Sequence, residues 1–221
     1  MLRRVLALVV PPACLACGAP LRADRDLCAA CRATLPWLGR DVCPRCALLL
    51  PCGRCPAEHV AWDAAWAPLA HDGPARALVA ALKFRGTLAA AQVMAAQMAA
   101  GCPFDLQGAA VVPVPALPAR RSARGFDHAA ILASAVARRS AAGVVACLRR
   151  AGSAERQLGA GRATRRAKGR IVVRCPRDAP ARAVLVDDVH TTGATLDACA
   201  RALRRAGAAE VRAITYTRTL P

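Results

Sequence analysis

The sequence predicts an α/β fold: a mostly parallel sheet flanked by helices, with a small cysteine-rich module in front. Three observations predict it. Eight of the twelve cysteines lie in the first 55 residues, as four C-x-x-C pairs. Beyond residue 61, runs of β-formers alternate with helical segments, the pattern of crossover-connected parallel strands. Near the carboxyl end, a strand at residues 183–186 runs into two carboxylates, a hydroxyl-and-glycine loop and a helix.

The first seventeen residues read MLRRVLALVVPPACLAC. Two arginines and a short apolar run have the look of a signal peptide. Pro11 and Pro12 interrupt the run, and cleavage would cut into the cysteine module. A short helix packed on a neighbour is the expectation. No later segment reaches membrane-spanning length without a charge or a breaker.

The pairs are Cys14/Cys17, Cys28/Cys31, Cys43/Cys46 and Cys52/Cys55. Each C-x-x-C forms a knuckle that aims two sulfurs at one ion, and two knuckles close a four-sulfur zinc shell. Up to two structural Zn²⁺ ions follow. Pairing in sequence is the simpler scheme; a nested pairing also satisfies the spacing. His59 is an alternative ligand, though a surface position suits it better. About 55 residues rich in proline bury too little to fold without metal. Repeated thiolate pairs belong to a reducing compartment, so a cytoplasmic protein is expected. Cys102, Cys147, Cys175 and Cys199 are isolated and read as small core residues. The module occupies residues 1–60 and the α/β domain residues 61–221.

In the second domain, residues 74–82 and 88–100 read as helices separated by Lys83-Phe84-Arg85-Gly86. Residues 109–115, AAVVPVP, read as a strand ended by prolines. Arg120, Arg121 and Arg124 follow in a loop, then a helix over 125–139 and a strand over 143–148. Residues 153–168 lack periodicity and read as a flexible basic loop. Further strands are expected at 169–174, 183–186 and 210–219. In such a sheet, ligands bind beyond the carboxyl ends of the strands. The ends at VPVP and VLVDD should therefore face one crevice.

The net charge is +18. Between residues 116 and 182, sixteen lysines and arginines stand against three acids. That concentration suits a polyanionic ligand: a pyrophosphate, a nucleotide or a nucleic acid. A solvated, arginine-biased surface is the competing reading.

Residues 183–195, AVLVDDVHTTGAT, carry the most chemistry. Backbone N–H groups, threonine hydroxyls and a helix N-terminus suit a phosphate. Asp187 and Asp188 repel phosphate but suit sugar hydroxyls or Mg²⁺. His190, beside the loop, is a candidate for titration near neutrality.

The motif resembles the PRPP-binding motif of type I phosphoribosyltransferases. The resemblance implies that Asp187 and Asp188 meet ribose hydroxyls, with Mg²⁺ bound alongside PRPP. Thr191, Thr192, Gly193, Ala194 and Thr195 would wrap the 5′-phosphate. Further segments widen the match: KFRG at 83–86, VPVP at 112–115, RGFDHA at 124–129 and Gln157 to Arg165. With the cysteine pairs in front, the chain resembles ComF proteins, a double zinc ribbon joined to a type I phosphoribosyltransferase-like domain. Lys83, Arg85, Arg120, Arg121 and Arg124 would then face the pyrophosphate. The resemblance also implies a link to DNA uptake, with single-stranded DNA and a DNA-uptake or helicase-type protein as partners. Transfer of a phosphoribosyl group is one expectation; a nucleic-acid-binding or PRPP-sensing module without turnover is the alternative. Three departures stand out: His190 where apolar residues are usual, Asp127-His128 in place of Asn-Gln, and Lys168 where Asn is common.

Overall fold

A computed structural model describes residues 12–22, 24–53, 55–150 and 171–221. The helix expected before the first cysteine and the basic loop at 153–168 lie outside the described residues.

Five strands form the main sheet: β1 (Ala64–Trp66), β2 (Leu69–Ala70), β3 (Ala110–Pro113), β6 (Arg182–His190) and β7 (Glu210–Arg218). The order is β1-β7-β6-β3, with β2 also on β7, and every pairing is parallel. Two expected strands are corrected. Residues 143–148 contribute a single parallel bridge, Val144 to Val111. Of residues 169–174, Val173–Arg174 (β5) pairs antiparallel with Arg149–Arg150 (β4), apart from the main sheet. The key strand is longer than residues 183–186. It continues to His190 because Asp187, Val189 and His190 pair with Thr215, Thr217 and Arg218 of β7. Cross-strand pairing overrides the weak strand preference of aspartate.

Six helices are described around this sheet and in the ribbons. α1 (Ala29–Ala33) lies in the first ribbon. α2 (Gly73–Arg85) starts on Pro74 and ends at Gly86, whose φ of 60° needs no Cβ relief. Lys83-Phe84-Arg85 is thus the last turn of α2 rather than a linker. α3 (Leu88–Gly101) buries Ala90, Ala91, Met94, Ala95 and Met98. The stretch assigned to a loop of arginines is a helix, α4 (Pro118–Arg124). Its proline start and Gly125 stop outweigh its lack of apolar periodicity. α5 (His128–Ser140) follows, capped by Asp127, whose Oδ1 accepts from the Ala130 amide at 3.2 Å. α6 (Ala194–Arg205) buries Leu196, Cys199, Ala200 and Leu203, the stripe its periodicity predicts.

Strand alternation divides the core. Val184 and Val186 of β6 pack with residues of α2, α3 and α5, such as Leu78, Met94 and Leu132. Ala183 and Leu185 pack with Leu196, Cys199 and Leu203 of α6. The cysteine module divides too: Cys14, Leu27 and Leu35 join the first cluster, Cys43, Cys46 and Ala57 the second. Between them, the chain pairs with the sheet edge. Leu38 donates to the Pro68 carbonyl at 3.0 Å, and Ala70 donates to the Pro36 carbonyl at 2.9 Å. This connector covers backbone groups that an open edge would expose.

Candidate functional site

The knuckles come first in the chain and show the same local turn twice. The Gly18 amide donates to the Cys14 carbonyl at 2.8 Å, and the Ala47 amide to the Cys43 carbonyl at 2.8 Å. The chain then returns, Cys14 N–H to Ala19 carbonyl and Cys43 N–H to Leu48 carbonyl. Cys14, Cys17, Cys28 and Cys31 gather their sulfurs within 4.8 Å of one another, as do Cys43, Cys46, Cys52 and Cys55. Pairing is therefore sequential. Sulfurs of Cys17 and Cys28 lie 3.8 Å apart, those of Cys43 and Cys55 3.9 Å. Four sulfurs about 2.3 Å from one Zn²⁺ are separated by about 3.8 Å, whereas a disulfide needs about 2 Å. The donor set and its spacing fit structural zinc at both sites. Burial raises the Cys14 thiol, but amides of Cys17, Cys28 and Ala16 outweigh it and bring the pKa down to about 6. A thiolate is favoured there, as metal binding requires.

The acidic pair lies toward the carboxyl end of β6, beyond Val186, which is in register with Pro113 of β3. The ends of VPVP and VLVDD are thus neighbours in the sheet. Asp188 lies on the side of α2 and α5 and is 2% exposed. Its Oδ1 is 2.8 Å from the Lys83 ammonium. Among the described residues, its Oδ2 is a buried oxygen without a hydrogen-bond partner. His128 Nε2 approaches that oxygen to 3.3 Å. Asp187 Oδ1 accepts from the Asp188 amide at 2.9 Å. Burial, then the charge of Asp188, pushes the Asp187 carboxyl up to about 8.

His128, Asp187 and Asp188 each offer one ligand atom within 4.8 Å of the others. The imidazole nevertheless suits a different role. Arg124 Nη1 stands 3.3 Å from His128 Nδ1, and a guanidinium can only donate. Nδ1 is then the acceptor and Nε2 carries the hydrogen, which comes near Asp188 Oδ2 without the alignment of a hydrogen bond. Burial lowers the His128 pKa, with the Asp188 charge opposing it, so the ring is neutral near pH 7. Oxygen donors alone remain for a cation, a set that fits Mg²⁺ bound through one or two carboxylates and a phosphorylated ligand.

Thr191–Gly193 joins β6 to α6, and Ala194 and Thr195 open the first turn of that helix. Gly193 has φ 79° and caps α6. A Cβ there would meet Trp62 Cη2 at 2.8 Å and His190 Nε2 at 2.9 Å, so both backbone and space demand glycine. Thr191, Thr192 and Ala194 are exposed around it. His190 does not titrate near neutrality. It is buried, edge-on to Trp62 at 5.7 Å between ring centroids. Burial and the Arg218 charge lower its pKa to about 3.

The candidate cations separate. Lys83 reaches the acidic pair. Arg124 reaches it through His128, and its guanidinium lies 5.4 Å from the Phe84 ring centroid. Arg85 turns away and donates to the Leu15 carbonyl of the first ribbon at 3.3 Å. Arg121 is exposed on α4. Arg120 is on the same helix. The departure Asp127-His128 is accounted for: aspartate caps a helix as well as asparagine, and His128 faces Asp188.

Residues 5–61 match the family described as "Double zinc ribbon domain". The DNA utilization protein YhgH of Salmonella typhi is 31% identical over 96% of this chain and 100% of its own length. The chain belongs to the ComF family. The YhgH protein of Escherichia coli K12 is 30% identical over the same shares. Among solved structures, this ComF protein is similar to the glutamine PRPP amidotransferase of B. subtilis complexed with ADP and GMP. That likeness has a TM-score of 0.39 and 21% identity, covering 56% of this chain and 25% of that one. One contributor to the site escaped the sequence reading, Arg218, and Trp62, a candidate for base stacking, is instead buried against His190. Arg218 carried a signal: it is the second arginine of EVRAITYTR and ends a run of strand formers that are all buried.

Proposed function

We propose that this ComF protein binds PRPP, or a nucleotide phosphate, with Mg²⁺, and acts in DNA utilisation. One observation carries the reading. Among the described residues, a buried carboxylate oxygen, Asp188 Oδ2, lacks a hydrogen-bond partner and lies one short loop from a glycine-capped helix start. A buried unpaired acceptor costs about 1–3 kcal/mol, which a hydroxyl donor recovers. A sugar hydroxyl supplies that donor, and the phosphate on the same sugar meets the amides of Gly193, Ala194 and Thr195. Lys83, 2.8 Å from Asp188 Oδ1, occupies the other oxygen and leaves Oδ2 to accept. Arg124 presents positive charge toward a pyrophosphate. Asp187 and Asp188 are the residues that would hold Mg²⁺, which would supply positive charge for the leaving pyrophosphate.

If the bound PRPP reacts, the carbon–oxygen bond at C1 breaks toward pyrophosphate and an acceptor enters opposite. The chain supplies positioning and charge for that step. His190 is excluded as its base, since burial brings its pKa down to about 3, leaving it a weak base, and packs it edge-on to Trp62. The DNA assignment is supported by kinship with DNA utilization proteins along 96% of the chain.

The test is a calorimetric titration of PRPP and Mg²⁺ into the zinc-loaded protein. Saturable one-to-one binding, lost in Asp187→Ala/Asp188→Ala, is expected. No binding to the folded wild type would overturn the reading.

A second reading is favoured by Phe84, 72% exposed beside the Arg124 guanidinium. An exposed ring under a cation suits stacking of a single-stranded base. Binding of oligonucleotides should weaken steeply with salt and fall with Phe84→Ala. An affinity constant across salt removes it.

A further inference from the structure

We infer that the second zinc site, Cys43/Cys46/Cys52/Cys55, holds the phosphate loop in shape, and that Arg218 is the positioning residue that links them. The inference rests on Thr191–Thr195 being the phosphate loop, as proposed above.

Three consecutive carbonyls of the second ribbon's first knuckle are taken by the α/β domain. Pro44 accepts from the Ala65 amide at 2.8 Å. Arg45 accepts from Trp62 Nε1 at 2.8 Å. Cys46 accepts from Arg218 Nε at 2.8 Å. The last two donors are the side chains that also grip the loop. Arg218 Nη1 donates to the carbonyls of His190, at 2.8 Å, of Thr191, and of Thr219 at 3.0 Å. Trp62 packs edge-on against His190 and closes the space beside Gly193.

Arg218 is 4% exposed and Trp62 1% exposed. A buried guanidinium needs each of its partners, because an unpaired charge away from water is costly. Those partners are loop carbonyls on one side and the carbonyl of a zinc ligand on the other. The direction of that ligand's carbonyl follows from the knuckle turn, which the metal closes. Loss of the metal frees the Cys46 and Arg45 carbonyls, and the guanidinium can then satisfy itself without the loop.

The first ribbon has no such tie among the described residues. It reaches the α/β domain by packing into the cluster of α2, α3 and α5 and by the Arg85–Leu15 bond. The two sites are therefore unequal. Zinc at the first serves the ribbon; zinc at the second also serves the loop.

The test uses the full zinc-loaded chain and compares three variants: Cys46→Ser at the second site, Cys17→Ser at the first, and Arg218→Met. Amide exchange is followed without ligand, together with zinc content, in the loop amides of residues 191–195 and the core amides of residues 184–186. Cys46→Ser and Arg218→Met should lower loop protection about tenfold with the core unchanged, and Cys17→Ser should leave the loop as it is. Arg218→Lys, which keeps the charge and one donor, should restore part of the protection. The inference falls if the loop is unchanged in the second-site and Arg218 variants, if core and loop loosen together, or if Cys17→Ser loosens the loop equally. Exchange needs no PRPP. A protein that fails to bind PRPP yet shows this pattern would refute the proposed ligand and retain the coupling.

Discussion

At the residue scale, Gly193 is the least replaceable part of the loop. Gly193→Ala puts a methyl into a left-handed backbone and against Trp62 and His190. Strain and overpacking together should cost about 2–4 kcal/mol, read as a lowered denaturant midpoint with an unchanged slope. Asp187 gives a prediction about pH. Unfolded, its carboxyl releases its proton near pH 4; folded, burial and then Asp188 hold it up to about 8. Across that window the native state binds more protons than the unfolded state, so this group weakens the fold as pH rises. Asp187→Asn removes the effect. Relative to the parent, the variant should gain stability from about pH 5 to about pH 8, and equal denaturant curves at both would contradict the assignment. The identity of these residues was legible because both motifs are local. What each does was not. A sequence places His190 beside a phosphate loop but does not show the Trp62 ring that buries it.

At the element scale, one hand-off organises the site: β6 to loop to α6, with α2 and α5 supplying Lys83 and His128 from the far side. Asp127 sets the start of α5 and thereby the reach of His128. Asp127→Ala should cost about 1 kcal/mol, while Asp127→Asn should be nearly silent, as thermal or denaturant unfolding will show. Lys83→Met removes the cation 2.8 Å from a buried carboxylate and should destabilise by about 3 kcal/mol, read as a lowered denaturant midpoint. Long helices with apolar stripes, α3, α5 and α6, could be read from spacing. α4 could not, since PARRSAR has no apolar face and only its proline and glycine mark it. Nor could β1 and β2, which are too short for alternation and exist because β7 offers an edge to pair with. The arginine-rich span mixes roles that charge counting merges: Arg124 lies at the site, and Arg182 pairs instead with Glu210.

At the scale of the whole molecule, the two ribbons do not sit in front of the domain as a separate head. One packs into the core cluster of α2, α3 and α5, the other into that of α6, and their connector seals a sheet edge. Four C-x-x-C pairs state that zinc is bound; they carry no word of where the ribbons dock, because docking is made of contacts more than a hundred residues apart, such as Arg218 to Cys46. Removing zinc should therefore unfold more than the first sixty residues. Chelation followed by circular dichroism and exchange should show loosening in the loop at 191–195 and at the β2 edge as well as in the ribbons, with residues 184–186 still protected. No helix among the described residues is long and apolar enough to cross a membrane.

The central claim is that a phosphorylated ribose is held between the acidic pair and the Gly193 loop. The most direct measurement is a phosphorus spectrum of PRPP with Mg²⁺ and the zinc-loaded protein. The 5′-phosphate resonance should shift and broaden with wild type and return to its free position with Gly193→Ala. A resonance that ignores the protein, or one displaced equally by wild type and Gly193→Ala, would contradict the claim.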